Sequence, residues 1–492
     1  MKKNIHFIII MIIITSCSSD FLNIYPETTL NEGNFYQSET EYLLLVNGCY
    51  VSLRNFEKSN HVSISELASD NLAIQNCASA GEANRGVIDN FLVSSNNQEY
   101  ADAWSTLYTG ISRCNKLLYE IDRSTIQWSA GIKERSTGEG LFLRALYYFH
   151  LVRLYGGVPQ VTTPITAQEA MKIKRAPESD IYSLILDDLQ KSIAQLSMAT
   201  NREENGRSHA MAAIALLGRV QLTLKNYTDA IHSFKTVIDA GKYILLPDYS
   251  ALFDPTNKDF KETLFSVQYS ESTSDLSQQY IFLHAPVTSG GNVTKRANVA
   301  INVAGHFRPT QDLIDAFEDE DKRKEVSIGF WNGPDWDNTV YDIPYCAKFK
   351  PPVSAPDNRC GDNLPIIRFA DVLLSYAEAL NEVGRTQEAA PYVEMVRNRA
   401  GLNHSLAAYN QENLRLLIEK ERQVELCFEN HRWYDLKRTG RAMEVLRAHG
   451  IREKASKTFI PANAFQMETF KLIAPIPAEQ ILINELEQNP NY

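Results

Sequence analysis

Residues 370–401 read ADVLLSYAEALNEVGRTQEAAPYVEMVRNRAG. Two helical apolar periods flank Gly384-Arg385-Thr386, residues typical of a turn. Ala377 is followed twelve residues later by Ala389 and sixteen later by Val393. Small side chains at such offsets let the two helices of an antiparallel hairpin approach closely, and the bulky one fills the space beside the crossing. The same offsets recur upstream as Gly218, Ala230 and Phe234, with Asn226 at the expected turn. The two blocks predict helical hairpins near 208–240 and 367–400.

Tetratricopeptide repeats use this spacing, so the fold class expected is mainly α, a scaffold of tetratricopeptide-like hairpins. Other segments agree. Trp104, Leu107, Tyr108, Ile111, Leu117 and Leu118 mark one helix, and Leu141, Ala145, Tyr148, Phe149 and Val152 another. Gly156-Gly157-Val158-Pro159 stops the second. Pro177-Glu178-Ser179-Asp180 opens a third, with acidic residues at its positive end. A final helical stretch is expected from about Glu412 to Glu444. Between the repeat-like blocks, residues 251–364 lose the helical period except around Thr310 to Phe317. With Gly290-Gly291, Pro351-Pro352, many short polar residues and a strand-like run from Thr263 to Tyr269, they read as a loop-rich, irregular insertion. Residues 54–98 read similarly. Loops on a rigid frame are where binding surfaces form.

The N-terminus carries a targeting signal. Lys2 and Lys3 precede the apolar run Ile5–Ile14, too short to span a bilayer, and Thr15-Ser16-Cys17 follows. The division expected is a signal peptide over 1–16, a tether over 17–35 and one body over 36–492. That body comprises helical parts at 36–250 and 365–492 around the insertion at 251–364. Of the seven cysteines none forms a C-x-x-C pair, so no zinc ribbon is indicated. Cys114 and Cys427 sit in helical patterns as small buried hydrophobes. Cys346 and Cys360 flank a Pro/Asn/Asp-rich loop, where an export compartment permits a disulfide whose geometry spacing cannot show. The formal net charge of -11, without any long Lys/Arg run, disfavours nucleic acid as a partner.

Several motifs in order carry a family resemblance. Arg144-Ala145-Leu146-Tyr147-Tyr148-Phe149-His150-Leu151, ending in Tyr155-Gly156-Gly157-Val158-Pro159, resembles the central helix motif of SusD-like proteins. Arg368-Phe369-Ala370-Asp371-Val372-Leu373-Leu374, Val396-Arg397-Asn398-Arg399-Ala400-Gly401-Leu402 and Arg432-Trp433-Tyr434-Asp435-Leu436-Lys437-Arg438 continue it. Gln488-Asn489-Pro490-Asn491-Tyr492 closes it. Ile14-Thr15-Ser16-Cys17 resembles a bacterial lipobox, with Cys17 acylated, and Ser18-Ser19-Asp20 resembles a surface-export tag. The chain is similar to SusD/RagB proteins over nearly its whole mature length. The resemblance implies a lipid-anchored outer-membrane protein at the cell surface. It would capture an oligo- or polysaccharide for a SusC-like TonB-dependent transporter, which it caps as a lid. A RagB-like peptide binder and a helical-repeat adaptor without a nutrient ligand are the alternatives.

The most recognisable residues are not a binding site. Arg397 and Arg399, with Glu421, Glu425 and Glu429, are natural ion-pair partners between helices, and Tyr147, Tyr148 and Phe149 are core. Zinc-protease, nucleophile-elbow and Walker signatures are missing, and Leu143 spoils the dinucleotide pattern begun by Gly138-Glu139-Gly140. No catalytic residue, metal ligand or cofactor is assigned. Sugar rings present apolar C–H faces edged by hydroxyls, which flat aromatics and short amides match. Trp331, Trp336, Tyr341 and Tyr345 lie within fifteen residues, interleaved with Asn332, Asp335, Asp337 and Asn338. Trp336, Trp331, Tyr341 and Asn338 are therefore the candidate ligand contacts. Trp331 and Tyr341 could equally pin the loop, whereas Trp336, beside Gly333-Pro334-Asp335, is expected to be exposed. Tyr280, with Phe282 and His284, is a second candidate, and the loop from Gln75-Asn76 to Arg85 a third.

Overall fold

The computed structural model describes residues 36–75, 80–199, 206–256, 258, 261–294, 305–335, 338–350 and 359–492. Cys17, the lipobox-like run and Trp336 lie outside these residues. The main helices are α1 (Glu39–Asn55), α2 (Gln98–Arg123), α3 (Ile132–Tyr155), α4 (Glu178–Met198), α5 (Ala210–Thr223), α6 (Tyr227–Asp239), α7 (Phe369–Glu382), α8 (Thr386–Arg399), α9 (Gln411–Glu425), α10 (Arg432–Thr439) and α11 (Ala442–Ser456). From α1 to α8 each packs against the next, and α9 packs on α7. The fold is mainly α, as the repeat offsets indicate. Among the described residues no helix is long and apolar enough to cross a membrane.

Local chemistry sets the helix ends. Ser38 and Glu41 form a capping box on α1, and the Asn97 side chain caps α2 by accepting from the Tyr100 N–H. Gly156, at φ 74°, ends α3 in backbone space that side-chain-bearing residues rarely enter. α3 is buried on almost every side, with Tyr147, Tyr148 and Phe149 all inaccessible. The two hairpins, α5/α6 and α7/α8, lie where the offsets place them. Ala377, Ala389 and Val393 are fully buried. A Cβ at Gly218 would sit 2.8 Å from the Phe234 ring. Gly218→Leu is expected to lower stability by about 1–3 kcal/mol through overpacking. Urea unfolding checks this, and an unchanged midpoint would show that the crossing tolerates a side chain.

Among the described residues, three two-stranded antiparallel sheets accompany the helices. β1 (Leu72–Ile74) pairs with β3 (Phe307–Pro309), β2 (Thr263–Val267) with β6 (Leu364–Arg368), and β4 (Ile328–Pro334) with β5 (Val340–Cys346). The described residues between 54 and 98 hold more regular structure than expected, with short helices at His61–Ser65 and Ala80–Asp89 besides β1. The stretch from Glu412 to Glu444 is not one helix. It breaks between α9 and α10, where Phe428 and Asn430 both take φ 64°. Tertiary bonds outweigh helix propensity there. Lys348 donates to the carbonyls of Glu425 and Cys427, Tyr280 donates to that of Phe428, and the Asn430 N–H reaches Glu66 Oε1 at 2.7 Å.

Cys346 and Cys360 are both buried free thiols, so the permitted disulfide is not formed. Cys346 lies in the main core, while Cys360 joins a separate small cluster and donates to Asp362 Oδ2 at 3.0 Å. The expected ion pairs are present and the insertion enlarges them. Arg399 reaches Glu425 at 2.5 Å and Glu262 at 3.1 Å, and Arg397 reaches Glu421 at 3.1 Å. From the insertion, Arg323 pairs with Glu421 and Glu425, and Lys348 with Glu429. This network joins the loop-rich insertion to the helical frame.

Candidate ligand-binding hairpin

The β4/β5 hairpin carries the aromatic cluster. Its register sets Gly329 opposite Tyr345, Trp331 opposite Ile343 and Gly333 opposite Tyr341, so these six share one face. Two side chains lie over glycines. A Cβ at Gly333 would meet the Trp331 indole nitrogen at 2.4 Å, and one at Gly329 would meet the Tyr345 ring at 2.2 Å. The indole of Trp331 is thus laid along the strand toward the position opposite Tyr341. It is half-buried, and its Nε1 is buried without a hydrogen-bond partner among the described residues. The opposite face carries Phe330 and Val340, both exposed, with Asn332 donating to Asp342 across the strands at 2.8 Å.

Tyr341 is 39% exposed, yet its hydroxyl is fixed. It donates to Asp335 Oδ2 at 2.5 Å and accepts from Arg308 Nη1 at 2.7 Å. Arg308 also forks onto Asp335 with bonds of 2.8 and 2.6 Å. Burial, and then the bond to Asp335, push the phenol up to about 12. The ring is therefore a neutral, immobilised plate at the protein surface. Asn338 is exposed at the turn with φ 66°, and its N–H donates to the Asp335 carbonyl.

Two of the three candidate regions meet here. β1 is followed by Gln75, whose N–H donates to the His306 carbonyl and whose side chain reaches Asp335 at 3.4 Å. Arg85 stands over the Phe307 ring and pairs with Glu99 at 3.0 Å. Burial and then the Arg85 charge lower His306 to about 4, so it is neutral near pH 7. Arg308 is the residue that sequence reasoning missed, since its partners Asp335 and Tyr341 are brought to it by tertiary pairing alone. The Tyr280 assignment is corrected. Tyr280 is buried against Phe349 and His284 and its hydroxyl serves the Phe428 carbonyl, while Phe282 and His284 are equally buried. None of the three presents a face to a ligand.

Among the described residues one cluster has metal-ligand chemistry, the buried Glu57, His61 and His150. Most of its polar atoms are engaged, while Glu57 Oε1 and His150 Nε2 are buried without a hydrogen-bond partner among the described residues. Arg153 donates to His150 Nδ1 at 3.2 Å, which leaves the ring proton on Nε2, facing Glu57 Oε1 at 3.8 Å. His61 is held by Glu57 at 2.8 Å and by Tyr434 at 3.1 Å. Burial first, then His61, Arg153 and Arg219, keep His150 well below the usual histidine range. The cluster is a buried core network that is hydrogen-bonded in part.

Comparison with known proteins bears on the same architecture. One family model, described as the SusD family, matches residues 334–492, and another, described as starch-binding associating with outer membrane, matches residues 20–222. SusD-like protein P25 of Formosa agariphila is 27% identical, covering 97% of this chain and 97% of that one. SusD-like protein P2 of the same organism is 27% identical, with 100% of each chain covered. Among solved structures, a laminarin-binding SusD-like protein superposes with a TM-score of 0.78 at 26% identity, over 93% of this chain and 100% of that one. Surface glycan-binding protein A from Bacteroides fluxus does so with a TM-score of 0.76 at 25% identity, over 92% and 100%. The two family matches take in α1 to α4 and most of α5 at one end and α7 to α11 at the other, with the β4/β5 hairpin at the edge of the second, and by this combination of hairpin scaffold and ordered motifs the chain belongs to the SusD/RagB family.

Proposed function

We propose that this protein binds a glycan at the cell surface and delivers it to a partner TonB-dependent transporter of the outer membrane. The observation that carries the binding step is the β4/β5 hairpin, where the immobilised Tyr341 ring stands beside the Trp331 indole and the turn that holds Asn338. Rigid aromatics suit sugar faces, because dispersion and burial of C–H surface are gained with little ordering cost. Moderate affinity also suits a protein that must release its cargo. The laminarin-binding and surface glycan-binding relatives support this reading.

The test is a glycan array followed by calorimetry, with laminarin as the first ligand. Trp336, which follows Asp335 in the sequence, is the further contact proposed. Trp336→Ala should lose binding with an unchanged melting temperature. Parent-like binding would remove Trp336 from the site, and a loss of both would assign it to pinning the turn.

Anchoring at Cys17 is proposed from the lipobox-like run. Metabolic labelling with a radioactive fatty acid should mark the parent protein, and a Cys17→Ala protein should take up none. Label on the variant would rule the anchor out.

A further inference from the structure

A groove of about 460 Å³ opens along the outer side of α2. Ser105, Thr109 and Ser112 form one wall, spaced along a single helical face. Ile165, Ile173 and Pro477 give the groove an apolar side. Its volume is in the range of a small-ligand or short-peptide site. The segments bordering it leave large apolar side chains in solvent. Leu482 is 81% exposed, and Met171 and Ile483 are exposed as well.

The hydroxyl stripe continues one turn further to Lys116. The Lys116 ammonium lies 5.5 Å from the centre of the Tyr36 ring, which also packs on Tyr42. The N-terminal segment therefore joins the body at the end of the groove's own wall. Between Cys17 and Tyr36 stand eighteen residues, a reach of up to about 60 Å when extended. The wall from Lys116 to Ser105 is about 16 Å long. The segment includes Phe21-Leu22-Asn23-Ile24-Tyr25-Pro26, an apolar run whose proline disfavours helix at the preceding residue.

We propose that residues 21–26 dock in this groove as an extended strand-like segment. Their apolar side chains cover Ile165 and Ile173, and their backbone groups face the hydroxyls of Ser105, Thr109 and Ser112. The docking goes beyond glycan capture and does not depend on it. With the anchor at Cys17, it would leave residues 18–20 as the free leash, about 10 Å instead of about 60 Å. The body would then stand close to the membrane in a restricted orientation.

The test uses the full chain in detergent. With the photo-reactive residue benzoylphenylalanine at position 109, irradiation should join that site to the peptide 18–30 of the same molecule, at monomer mass. Amide hydrogen exchange at Leu22 to Tyr25 should be at least tenfold slower than in a synthetic peptide of residues 19–31. Ile24→Asp, which lies on the arm and leaves the body's core untouched, should restore the peptide rate with an unchanged melting temperature. Exchange at the peptide rate in the parent chain overturns the proposal. So does a cross-link from position 109 that forms only to another protein or to added laminarin.

Discussion

Arg368→Met is expected to destabilise the protein by about 3–5 kcal/mol, the largest effect of any single substitution considered. Arg368 is 1% exposed and donates to Glu429 at 2.7 and 2.9 Å, to Glu425 at 2.5 Å and to Glu262 at 3.1 Å. The surrounding network balances the cations Arg323, Lys348, Arg368, Arg397 and Arg399 against Asp321, Glu262, Glu421, Glu425 and Glu429. Removing one cation leaves an uncompensated carboxylate in a buried site, and that desolvation is the cost. Arg368→Lys keeps the charge but not the fork, so an intermediate loss is expected.

The deficit should depend on pH. Burial by itself would push Glu425 and Glu429 up. Arg399, Arg368 and Arg323 overcome it at Glu425 and hold that group well below the usual glutamate range, and Arg368 and Lys348 lower Glu429. A depressed carboxylate stabilises the fold above its unfolded pKa, and that contribution is lost as pH falls through the folded one. Both values should rise again in Arg368→Met. The gap between parent and variant is then widest above the variant's raised folded values and narrows as pH falls through them toward the parent's depressed ones. Urea unfolding at pH 7 and pH 4 measures it, and a gap that is the same at both would show that the ion pairs are not its source.

Tyr341→Ala is expected to weaken glycan binding by about 1–2 kcal/mol, or roughly 5- to 30-fold, through loss of the stacking face. Tyr341→Phe separates the ring from its hydroxyl. The ring remains, and Asp335 keeps both bonds from Arg308, so affinity should stay within about threefold of the parent while stability drops by about 1 kcal/mol. Calorimetry alongside thermal unfolding reads both quantities. Parent-like binding by Tyr341→Ala would move the sugar off this hairpin.

Much of the scaffold was legible in the residues because its determinants are local. Gly156 stops a helix wherever a left-handed backbone is needed. The offsets from Ala377 to Ala389 and Val393, and from Gly218 to Ala230 and Phe234, describe neighbours within one hairpin, and the structure packs them so. Arg399 and Glu425 could be paired in advance because they sit on successive helices with buried faces. The proposed site was legible as a segment but not as a site. Composition singled out Trp331, Asn338 and Tyr341, and the placing of Trp331 and Tyr341 on one face of two strands, with Asn338 at the turn, became apparent only with the hairpin register.

Tertiary structure decided the rest, for one physical reason. Burial and hydrogen bonding depend on what stands opposite a residue, and the chain does not record that for partners hundreds of positions apart. Tyr280 has the composition of a ligand contact, yet the Phe428 carbonyl claims its hydroxyl. Cys346 and Cys360 flank a loop where a disulfide is permitted, yet one joins the main core and the other bonds Asp362. The helical pattern around 428 gives way because Lys348, Tyr280 and Glu66 bond its backbone. Arg308 bears no mark in its own neighbourhood, yet β1–β3 pairing sets it where Asp335 and Tyr341 need a cation. The sequence by itself determined the helical hairpins and their close crossings, since contacts a few residues apart suffice for those. Which aromatic ring faces solvent was left to the assembled fold, because only there does a polar group acquire, or fail to acquire, its partner.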